Sequence, residues 1–118
     1  PVWRVDLLES VDSEPGSLDR AHHHPAFDGW EPGKRHFVPE LTAAPLEWMA
    51  DRLVDLDALL VEARVSPEVA GPGDASALRA AVPEIVDAVR RLLARVAAGE
   101  LGRHDDEREL VSASIGWL

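Results

Sequence analysis

The stretch VWRVDLLE, residues 2–9, alternates along most of its length, with Trp3, Val5 and Leu7 on one side and Arg4 and Asp6 on the other. A two-residue period with β-branched and aromatic content is the signature of a strand with one buried face. The far end of the chain repeats the pattern more cleanly. In LVSASIGWL, residues 110–118, Val111, Ala113, Ile115 and Trp117 alternate with Ser112, Ser114 and Gly116. Strands at both termini therefore frame the fold.

Between them the period changes. Leu46, Met49, Leu53, Leu56 and Leu60 recur at steps of three and four, which places them on one stripe of a helix spanning 43–64. Thr42 serves as its N-cap, Pro45 falls in its first turn, and Ser66-Pro67 ends it. A second stripe runs through Leu78, Val82, Ile85, Val89, Leu92 and Val96, with Asp74 as N-cap and Gly99 as the C-terminal signal. Pro83 lies inside this stripe. It removes a hydrogen bond and crowds the preceding turn, which predicts a kink or a split into 75–82 and a longer helix from 83. The expected fold class is α+β: a small sheet pairing the N- and C-terminal strands, with two main helices, the second kinked or split at Pro83, packed on one face. A chain of 118 residues makes one domain, 1–118, with enough surface to bury a core unaided.

Composition narrows the function. No cysteine is present, so disulfides, thiolate metal sites and cysteine nucleophiles are excluded. The formal net charge is −10, which disfavours phosphate backbones and anionic membranes, and no nucleic acid or membrane partner is expected. No apolar run approaches the roughly 20 residues that span a bilayer, and PVWRVDLLES lacks the order of a signal peptide; the expectation is a cytoplasmic, acidic protein. The abundance of Arg, Ala, Val and Leu resembles a bacterial high-GC composition and carries no functional weight.

Residues 17–33 show no period and read as a long ordered loop, followed by KRHFV, 34–38, as a short strand. This segment holds HHHPAFDGW, residues 22–30. If residues 22–24 are extended, as Pro25 favours, His22 and His24 share one side and His23 turns to the other. An H-x-H pair is a two-ligand start for a divalent metal, and His36 is the expected third ligand, with Asp19 and Asp28 as substitutes. The opposing reading is that these are surface imidazoles paired with Asp19 or Asp28.

Trp30 and Phe27 sit in the same irregular segment and, with His23, form a candidate partner-binding surface. The apolar stripe of the second helix is broad enough to add a homodimer or other protein contact. Two function classes follow. The first is a small binding or accessory module using 19–36, for which no cofactor is expected. The second is a small metal-dependent enzyme built on His22, His24 and His36, whose cofactor would be zinc, iron or nickel.

Overall fold

In a computed structural model, which describes residues 1–100 and 112–116, the chain is mixed α+β. Its elements are strand β1 (Arg4–Leu8), strand β2 (His22–His24), helix α1 (Pro39–Ala43), helix α2 (Pro45–Leu53), helix α3 (Leu56–Glu62), helix α4 (Asp74–Ala97) and strand β3 (Ser112–Gly116). β1 is the central strand and pairs antiparallel with β2, in the register Arg4↔His24, Val5↔His23, Asp6↔His22. On its other edge it pairs antiparallel with β3, Val5 lying opposite Ile115. Trp117 and His104 lie outside the described residues.

Alternation in β1 sorts its side chains as the sequence requires. Trp3, Val5 and Leu7 are buried in one cluster with Met49 and Leu53 of α2 and with Val82 and Val89 of α4. Trp3 stacks on Trp48 at 6.3 Å between ring centroids, which locks β1 onto α2.

The expected helix over 43–64 is divided. α1 begins earlier, at Pro39, with Val38 rather than Thr42 at its N-cap, and α2 starts at Pro45 after an Ala44 cap. The larger break falls at Asp55, whose backbone leaves the helical region (φ −121°, ψ 75°) and whose carboxylate accepts the Ala58 N–H at 3.1 Å. An aspartate that caps a new helix competes with continuation of the old one. The leucine stripe conceals this break because Leu53 and Leu60 stay buried on either side of it.

α4 is not split at Pro83; it runs unbroken from Asp74 to Ala97. Its N-cap is Gly73 at φ 95°, and Asp74 instead accepts the Gly71 N–H at 2.6 Å. Its C-terminus closes as a Schellman motif: Gly99 N–H donates to the Val96 carbonyl, Glu100 N–H to the Arg95 carbonyl, and Gly99 adopts φ 77°. Leu92 is 40 % exposed, and Leu93 packs against the core in its place.

Pro83 is exposed, so replacing it sacrifices no packing. Pro83→Ala restores a helical N–H and removes a ring clash worth about 3 kcal/mol, offset by about 1 kcal/mol of added unfolded-state entropy. The variant is expected to be about 1–2 kcal/mol more stable by urea denaturation.

Candidate metal centre

The histidine stretch is neither a loop nor a surface. His22, His23 and His24 form β2, and all three are at most 4 % exposed. Pairing with β1 puts Asp6 directly opposite His22 and diagonal to His24, on the sheet face away from Trp3, Val5 and Leu7.

The three side chains converge. His22 Nε2 lies 3.1 Å from Asp6 Oδ2, and His24 Nε2 lies 3.4 Å from the same oxygen. One ligand atom from each residue falls within 4.8 Å of the others, so Asp6, His22 and His24 can hold a metal ion. Two donors at ~2.1 Å from a tetrahedral ion lie about 3.4 Å apart, which these separations approach. The second carboxylate oxygen, Oδ1, accepts a 2.7 Å hydrogen bond from Arg4 Nε, which leaves Oδ2 to the imidazoles.

Further contacts set the ring orientations. His22 Nδ1 lies 2.9 Å from the Arg20 carbonyl, which only accepts, so this nitrogen carries hydrogen. Nε2 is then the nitrogen turned to Asp6, as in histidines that ligate a metal while their other N–H is held by a backbone carbonyl. The rings of His22 and His24 meet edge to face at 5.0 Å. Phe37 lies 5.3 Å from His22 and Phe27 6.4 Å from His24 by ring centroids. Burial pushes His24 below the usual imidazole range, against the opposing pull of Asp6.

His36, the expected third ligand, is on the other side of β2. It exchanges backbone hydrogen bonds with His23 (3.0 and 2.9 Å), and their rings lie 5.5 Å apart. KRHFV is thus reduced to a single bridge at His36. Asp19 is also elsewhere: it is exposed and accepts from the Ser10 amide and hydroxyl and the Ser13 hydroxyl, contacts that hold its pKa at about 2. Asp28 pairs through its backbone with Glu31 across a two-residue turn of Gly29 and Trp30. The cluster member that the sequence did not single out is Asp6. Its signal was its place on the polar side of β1, but only the strand register connects it to His22.

The three candidate partner-binding residues lie in different surroundings. His23 is buried, its ring edge-on to Trp48 at 4.7 Å. Phe27 is half-buried beside His24, whereas Trp30 is 75 % exposed at the tip of its turn. Among the described residues, no helix is long and apolar enough to cross a membrane. Comparison with protein-family models, curated proteins and solved structures returns no match.

Burial, aided by the nearby Arg52 charge, lowers the His23 pKa from 6.5 to about 4. The unfolded chain therefore binds the proton more readily, and the stabilising contribution of neutral His23 is complete above about pH 6.5 and lost as pH falls towards 4. In protein stripped of metal with EDTA, unfolding free energy should decline across this window. His23→Gln should flatten the slope, as read by urea titrations at several pH values.

Proposed function

We propose that the protein is a metal-binding protein in which Asp6, His22 and His24 hold one divalent transition-metal ion between β1 and β2. The observation that carries this reading is the His22 ring. With Nδ1 committed to the Arg20 carbonyl, its Nε2 faces a carboxylate oxygen 3.1 Å away. Two lone pairs cannot face each other there, so the contact calls for a cation between them: a proton would make a simple ion pair, and a metal ion would turn both atoms into ligands. His24 Nε2, 3.4 Å from the same oxygen, supplies the third donor.

Two imidazoles and one carboxylate suit zinc, iron(II) or nickel(II), the metals expected of this donor type. Three protein ligands leave a coordination position for water or a small substrate, and a bound water would be acidified towards neutral pH. The small metal-dependent enzyme is thereby favoured over the accessory module, with Asp6 in the place first given to His36. The ion would also clamp β1 to β2 across the intervening segment 9–21, so metal binding and folding are coupled.

Elemental analysis of protein purified without a histidine tag should find close to one equivalent of zinc, iron or nickel. His24→Ala and Asp6→Asn should lose it, while His36→Ala should retain it. At free metal one hundred times Kd, folding gains about 2.7 kcal/mol, a rise in melting temperature of about 10 °C for a domain of this size. A centre that stays empty and unresponsive to added metal would leave a hydrogen-bonded carboxylate–imidazole cluster and overturn the proposal.

A second reading rests on Trp30. An indole 75 % exposed at a turn tip, with Phe37 57 % exposed in the same segment, suits a contact with a second copy or another protein. Trp30→Ala should change stability by no more than about 0.5 kcal/mol. If the contact is a homodimer, light scattering should show the variant shifted towards monomer; an unchanged mass would remove that contact.

A further inference from the structure

The opposite face of β2 borders a cleft unrelated to the metal centre. It has a volume of about 420 Å³ and is walled by His23, Pro25 and His36 on one side and Arg52, Glu62 and Arg64 on the other. Basic side chains dominate it, although the chain as a whole carries a net charge of −10. We infer that this cleft binds a small oxyanion, a carboxylate or phosphate group held by the guanidinium groups of Arg64 and Arg52 above the buried ring of His23.

Three observations converge. His23 is 3 % exposed and its Nδ1 has no hydrogen-bond partner. A buried polar atom left unpaired is costly, and native structures usually provide it with a partner. Arg64 is exposed and makes no ion pair among the described residues. It occupies the position after the C-cap of α3 with φ 60°, a left-handed backbone normally given to glycine or asparagine. That conformation closes α3 as a Schellman motif, with Arg64 N–H donating to the Val61 carbonyl and Val65 N–H to the Leu60 carbonyl, so what the cleft takes from Arg64 is its exposed guanidinium, unpaired among the described residues. Arg52 is positioned from two sides, its guanidinium lying 4.6 Å from the Trp48 ring centroid and Nη1 pairing with Glu62 at 3.1 Å. Those contacts leave Nε and Nη2 for a ligand. Two planar guanidinium groups suit the paired oxygens of a carboxylate or phosphate.

This inference does not rest on the metal reading, and an NMR titration distinguishes the two. Acetate and inorganic phosphate are added separately at neutral pH, with ionic strength held constant by chloride. Saturable shifts should appear at the amides of His23, His36, Arg52 and Arg64. Tighter binding of phosphate or of acetate then identifies which oxyanion the cleft prefers. Arg64→Gly is the decisive variant, since glycine accepts the left-handed backbone and the fold should be at least as stable. It should weaken binding by about tenfold, the loss of one charge-assisted pair, whereas Arg79→Ala, outside the cleft, should not. Shifts that never saturate, shifts confined to His22 and His24, or unchanged affinity in Arg64→Gly would overturn the inference.

Discussion

The antiparallel register that sets Asp6 opposite His22 is the constraint on which the rest of the structure depends. A carboxylate 3 % exposed in a sheet is costly unless its charge is answered on the spot. Arg4 answers one oxygen, and the two imidazoles converge on the other. Sliding β2 by one residue would bring His23 to this face and turn His22 and His24 towards Trp48 and the core. The carboxylate would then keep one imidazole in place of two, and the core would have to accommodate two rings where it now holds one.

The same register gives three consecutive histidines two different environments. His22 and His24 share a carboxylate and an aromatic border of Phe27 and Phe37. His23 lies against Trp48 and beside the basic cleft, where burial holds it neutral. A run that looks uniform in one dimension thus serves both faces of a sheet, because successive strand residues point in opposite directions. Trp48 links these surroundings to the core, stacking on Trp3, just before β1, while its ring also meets His23 and Arg52.

Much of the frame was legible from local chemistry. The β1 alternation, the apolar stripes and Gly99 as the terminal signal of α4 each depend on neighbours a few residues away, and each appears in the structure. Where reading failed, a local choice was decided by a competing interaction. The leucine spacing runs straight past Asp55, yet its carboxylate caps a new helix and divides the expected one. Pro83 looked like a breaker, yet α4 continues through it with Val82 and Val89 buried on its inner face. Tertiary burial of that face outweighs the local penalty, as packing often does over propensity.

Sequence alone determined that His22 and His24 face together and away from His23, since alternation is a property of any extended chain and Pro25 favours extension. It also put Asp6 on the polar side of β1. Only the tertiary structure decided that Asp6, rather than His36, Asp19 or Asp28, completes the cluster. A strand carries its period within itself, but its register is set by which partner lets both faces pack, and that choice involves residues far apart in the chain.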